Sequence, residues 1–261
     1  MQPTEKKLFW PIDILTLGYI SIVIVLILIF KNNLAKWKFL IFYNLLLTSV
    51  IIAIIYSCSH ISKWKKFIRY FYPMFLFTFL YEETGSLVHI IFPQWLDHQI
   101  NALEKSFLGT YPTVWLEQIV SVPLNELMML AYFSYYLLLP ILGIALYVRK
   151  QLEAFNQFLF TTALAFYISY LGFLLYPVEG PRLALSNLHS SELTGPLFTP
   201  LTQLVVKVGA IHGGCMPSSH VAVAFVVLVF AFRYHKTLFY ILSPFILTLF
   251  VATVYCRFHY A

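Results

Sequence analysis

Seven apolar stretches, at about 12–30, 39–58, 70–92, 123–148, 155–176, 217–232 and 237–256, dominate this chain of 261 residues. Most approach 20 residues, the length an α-helix needs to cross a hydrocarbon core of about 30 Å. Within lipid every backbone N–H and C=O must be satisfied internally, which leaves helices or a closed barrel. The runs are too long and too continuous for barrel strands, so the sequence predicts an all-α polytopic membrane protein with six to seven helices. Only 11% of residues are charged, against about 25% in soluble domains, so no sizeable soluble domain is expected. The first run follows Lys6 and Lys7, exceeds a signal-peptide core and lacks a small-residue cleavage site, so it is read as a retained span.

The formal charge of +6 does not point to nucleic acid, because the Lys and Arg residues lie in short loops between spans. Those loops set orientation. The N-terminus, Ser59–Arg69, Arg149–Ala154 and Arg233–Lys236 carry ten basic residues and the opposite side seven, which puts the N-terminus in the cytoplasm. The long connections Pro93–Val122 and Pro177–Met216 then face the periplasm, the cell exterior or an organelle lumen. The first has apolar residues at 96, 100, 103, 107 and 108, a helical spacing expected to lie along the membrane interface. Cys58, Cys215 and Cys256 have no metal-ligand spacing and are read as inert thiols, although Cys215 and Cys256 are near enough to the expected site to leave a bridge open.

Two histidine segments bracket the last apolar hairpin: Gly214-Cys215-Met216-Pro217-Ser218-Ser219-His220 and Val254-Tyr255-Cys256-Arg257-Phe258-His259-Tyr260. A hairpin returns the chain to the side it left, so His220 and His259 are expected at one membrane face. Two imidazoles there can divide nucleophilic attack and leaving-group protonation at phosphorus. Glu82 and Glu83 lie inside a span and Glu126 near the start of another. Intramembrane carboxylates are costly, so the three are candidates for headgroup recognition or for satisfied groups within the bundle.

Pro217-Ser218-Ser219-His220 resembles the Pro-Ser-Gly-His motif of type 2 phosphatidic acid phosphatases and vanadium haloperoxidases. Val254–Tyr260 resembles the motif that carries the nucleophilic histidine, and Tyr176-Pro177-Val178-Glu179-Gly180-Pro181-Arg182 resembles the looser first motif. That form, with the Asp97…Glu104…Phe107-Leu108-Gly109-Thr110-Tyr111-Pro112 loop, is most similar to the inositol phosphorylceramide synthase-like branch. The resemblance covers about residues 93–261 and implies a catalytic domain there, preceded by N-terminal helices in 1–92. It implies that His259 attacks phosphorus and His220 shuttles the proton. Arg182, the Ser218 hydroxyl and the Ser219 amide would hold the phosphoryl oxygens, and Gly213 and Gly214 would admit the backbone. No cofactor or metal is expected. The implied partners are the bilayer, a lipid phosphate or phosphodiester, and either water or an alcohol such as inositol as acceptor.

Departures from the pattern are equally specific. Leu175 stands where a lysine is usual, and Ala252-Thr253 where the family has Ser-Arg. Arg257 would point away from His259 on a regular helix. An aspartate expected four residues after His259 would fall at position 263, past Ala261, so the sequence reads as a chain cut inside its last motif. Two other readings stay open: a small-molecule transporter using Glu82, Glu83 and Glu126, and an inactive relative that binds lipid phosphate.

Overall fold

The structure, a computed structural model, describes residues 8–57 and 63–261. Lys6, Lys7, Cys58 and the 59–62 part of the Ser59–Arg69 loop lie outside the described residues. Among the described residues every named element is helical. The elements are α1 (Pro11–Ile29), α2 (Trp37–Ser57), α3 (Lys63–Leu87), α4 (Asp97–Leu108), α5 (Pro112–Trp115), α6 (Val122–Val148), α7 (Leu152–Leu175), α8 (Pro181–Ala184), α9 (Phe198–Gly209), α10 (Ser219–Tyr234) and α11 (Lys236–Tyr255).

Among the described residues five helices, α1, α2, α6, α7 and α11, are long and apolar enough to cross a membrane. α3 runs for 25 residues but begins Lys-Trp-Lys-Lys and carries Glu82 and Glu83 near its end, and α10 has 16 residues. Together they form the expected all-α polytopic bundle. The third span starts and stops earlier than the apolar run suggested, because the basic turn before Tyr70 is already helical and the chain leaves the helix after Leu87.

α6, α7, α10 and α11 pack into one group, and α1 and α3 lean on its α7 side. The α10–α11 turn is a single residue: His235 ends one helix and caps the next, its Nδ1 accepting the Leu238 N–H at 3.3 Å. So tight a return brings the start of α10 and the end of α11 to the same end of the bundle, as the sequence predicted. At the other end Asp13 of α1 pairs with Arg69 and Tyr72 of α3, and the Arg69 guanidinium lies 4.1 Å above the Trp10 ring. All of Asp13 and nearly all of Arg69 is buried, so each charge relies on the other.

α4 has the expected helical spacing, and its carboxylate side is the buried one. Asp97, Ile100 and Glu104 turn inward, whereas Leu103, Phe107 and Leu108 are exposed. The reason is polar. Asp97 and Glu104 accept hydrogen bonds from backbone and phenol donors of the site (below), and donors taken out of water need such acceptors.

Candidate active site

His259 leaves the end of α11 through a break in the helix. Phe258 N–H and His259 N–H both bond the Thr253 carbonyl, at 3.0 and 2.9 Å, and Arg257 takes a left-handed φ of 63°. The chain therefore folds back over its last turn and turns the His259 ring toward α10.

The hydrogen bonds then settle the tautomer. His259 Nδ1 lies 2.6 Å from the Cys215 carbonyl oxygen, which can only accept, so Nδ1 carries the proton. Nε2 is left with a lone pair, and it lies 3.2 Å from His220 Nδ1. His220 Nδ1 must then donate, so in the neutral pair its Nε2 accepts from the Tyr132 hydroxyl at 3.0 Å. Tyr132 and Tyr135 of α6 pack against the His220 ring at centroid distances of 4.9 and 4.3 Å. His259 is 3% exposed, and burial depresses its pKa from 6.5 to about 4, with the Cys215 carbonyl opposing. The His259 ring is thus neutral across the physiological range.

The Cys215 carbonyl orients the His259 ring. It fixes the proton on one nitrogen and frees the other. Nothing in the sequence marks a backbone carbonyl for this work. Cys215 is held for it by its own thiol, which donates to the Phe258 carbonyl at 3.0 Å, and by a parallel bridge between Val178 and Gly214. Gly180 closes the same junction. Its φ is 95°, and a Cβ there would stand 2.7 Å from Cys215 Sγ. Cys215 and Cys256, expected to be inert, are buried and free.

Asp97 joins the two halves of the site. One oxygen accepts from Gly180 N–H at 2.9 Å and from the Tyr260 hydroxyl at 2.7 Å; the other accepts from Glu179 N–H at 2.9 Å. Glu104 accepts the Ala261 N–H at 2.7 Å. A carboxylate on α4 therefore fixes the residue after His259 and the segment leading into Arg182. Burial and the Asp97 carboxylate push the Tyr260 phenol upward, which keeps it a donor.

His220, His259, Ser219, Arg182, Arg257 and Glu82 line one cavity of about 850 Å³. Arg182 is exposed on α8, and its guanidinium lies 5.8 Å from the centre of the Phe258 ring. Arg257, which a continuous helix would have aimed elsewhere, faces this cavity because α11 stops at Tyr255. It pairs with Glu117 at 2.7 Å and donates to the Ser191 carbonyl at 2.7 Å. Burial raises the Glu117 pKa, but hydrogen bonds from Ser190 and Ser191 and the Arg257 charge outweigh it and hold the carboxyl ionised. A second cavity of about 590 Å³, lined by hydroxyl and imidazole side chains of the 186–199 loop, shares Arg182 and Arg257 with the first.

Three sequence candidates have other work. The Ser218 hydroxyl caps α10, accepting the Val221 N–H at 3.3 Å, and does not line the cavity. Glu83 lies one position round the helix from Glu82, faces α2 and bonds Asn44 in the bundle interior. Glu126 accepts the backbone N–H groups of Leu197, Phe198 and Thr199 at 3.1, 2.8 and 2.9 Å, which anchors the start of α9. Spacing alone could not separate these roles, since each depends on which donors the fold leaves without partners.

Residues 98–261 match the family model described as the PAP2 superfamily. No curated protein and no solved structure matches the chain.

Proposed function

From the premise that the chain belongs to the PAP2 superfamily, we propose that it is a membrane phosphoesterase in which His259 forms a phosphohistidine on a lipid phosphate or phosphodiester. The observation that carries this reading is the fixed tautomer: a neutral, buried imidazole whose free Nε2 faces a second imidazole beside two arginines.

In the first step Nε2 attacks phosphorus and the P–O bond to the lipid alcohol breaks. His220, charged once the anionic phosphate lies beside it, gives its Nδ1 proton to the departing oxygen, and the Nδ1 proton of His259 stays on Nδ1, bonded to the Cys215 carbonyl, which steadies the charge of the phosphorylated ring. In the second step water or an alcohol attacks phosphorus while His220 takes its proton, and Nε2 leaves. The Tyr132 hydroxyl can accept from or donate to His220 Nε2, so it holds the ring in both protonation states. Arg182 and Arg257 match the phosphoryl oxygens, with donors arranged for planar recognition. His259 Nε2 and His220 Nδ1 stand 3.2 Å apart, so the phosphoryl group must part the rings on binding.

Transfer to a polar alcohol, as in the inositol phosphorylceramide synthase-like branch, is a second reading. The hydroxyl-lined cavity that shares both arginines favours it, because a water-soluble acceptor would find its partners there. The basic-loop count supports a site on the periplasmic, exterior or lumenal face.

The test is incubation of the purified protein with ³²P-labelled lipid phosphates, with and without inositol, followed by acid- and alkali-resolved phosphoamino-acid analysis. An alkali-stable, acid-labile label that His259→Ala removes is expected. Turnover that persists in His259→Ala would overturn the assignment.

A further inference from the structure

The catalytic cavity continues into the membrane part of the bundle, and its shape carries an inference about the substrate. On α3 it is lined by Met74, Phe77, Thr78, Tyr81 and Glu82, and on α6 by Tyr132, Tyr135, Tyr136, Leu139 and Pro140. Both sets recur at steps of three and four, so each is one continuous helix face. Phe166 and Tyr170 of α7 form the back wall. Polar groups are gathered at the histidine end, and the α6 lining ends in the hydrocarbon of Leu139 and Pro140.

The space has a floor. A Cβ added at Gly143 of α6 would stand 2.7 Å from Met74 Cε of α3, so the Met74 side chain reaches across to α6 there. Below that point the two helices are packed through aromatic rings: Tyr147 lies 5.1 Å from Phe71, 5.5 Å from Tyr70 and 6.1 Å from Phe67. Above it residues of both helices line the cavity. Thr78, halfway down, is exposed and lines the cavity. α3 precedes the residues that match the family, so one wall of this space comes from outside the matching segment.

We propose that the α3–α6 gap is a slot for one hydrocarbon tail of the phosphate substrate, closed at the Met74–Gly143 contact, and that it measures chain length. The proposal rests on the reading of His259 and His220 as the phosphoryl-transfer pair. An anionic head drawn to Arg182 and Arg257 places its phosphorus between the histidines, and the apolar continuation of that cavity leads down the slot. From Tyr132 to Pro140 the slot descends eight residues of helix. At 1.5 Å per residue this is about 12 Å, room for about ten carbons of an extended chain whose 1.5 Å bonds advance about 1.25 Å each.

The experiment uses monoalkyl phosphates of four to sixteen carbons with the purified full chain and with Thr78→Trp, in one detergent. Each methylene that enters the slot from water should raise kcat/KM about fourfold. For the unaltered protein the rise should level off near ten carbons. An indole at position 78, about 6 Å below Glu82 by helix rise, should move the break to about five carbons. Met74→Ala, which deepens the floor, should move it to longer chains and gives a second reading if Thr78→Trp fails to fold. Partition into micelles is common to all the proteins and cancels in their ratio. A ratio constant at every chain length would overturn the slot and leave the phosphoryl-transfer reading intact. No turnover of any phosphate by the unaltered protein would instead remove the reading on which the slot rests.

Discussion

Removal of one hydroxyl, in Tyr260→Phe, tests the idea that Asp97 ties the nucleophile to the arginine-bearing segment. The Tyr260 O–H···Asp97 bond is 2.7 Å long, buried and made to a carboxylate. Hydrogen bonds to charged groups contribute about 1.5–3 kcal/mol, so a stability loss of about 2 kcal/mol is expected. Asp97→Ala should cost more, about 3–5 kcal/mol, because it also strips the Glu179 and Gly180 amides of their acceptor. The two changes remove the same bond. On top of Asp97→Ala, Tyr260→Phe should therefore cost almost nothing, giving a coupling of about 1.5–2 kcal/mol in a double-mutant cycle. Unfolding free energies in mixed micelles supply the stability side. Labelled lipid phosphate turnover supplies the other: His259 adjoins Tyr260, so kcat should fall between about tenfold and 100-fold in Tyr260→Phe, as for other small displacements of reacting groups. Asp97→Ala should in addition raise KM, since Gly180 leads directly into Arg182. Single-mutant costs that add to within about 0.5 kcal/mol, or an unchanged kcat in Tyr260→Phe, would refute the reasoning.

Two further outcomes follow from the site geometry. Burial holds His259 near pKa 4, so the limb of kcat/KM that reports its protonation should fall as pH drops through about 4. An ordinary imidazole would titrate near 6.5, and a limb there would contradict the buried neutral ring. The linkage sign agrees, because a folded pKa below the free value means stability present above pH 6.5 is lost as pH falls toward 4. Glu126→Ala should speed amide exchange at Leu197, Phe198 and Thr199 by freeing the start of α9, with KM for short-chain phosphates unchanged. A many-fold rise in KM with those amides still protected would return Glu126 to headgroup recognition.

The sequence by itself determined the helical membrane bundle, because long apolar runs have few ways to satisfy a backbone in lipid. It also determined that His220 and His259 share one end, since two runs of similar length joined by a short basic turn return to the side they left. The tertiary structure alone decided how those histidines are prepared. The proton on His259 Nδ1 is fixed by a carbonyl, that of Cys215, and every residue has one, so no side-chain pattern announces it. Arg257 reaches the cavity because α11 ends two residues earlier, a break that hydrophobic periodicity does not register. Asp97 and Tyr260 meet across 163 residues of chain, as Asp97 and Gly180 meet across 83. Local sequence fixes helices through neighbours three and four residues apart. The partner of a buried polar group is fixed by which distant donors the packing has left unpaired, and that is settled only when the helices meet.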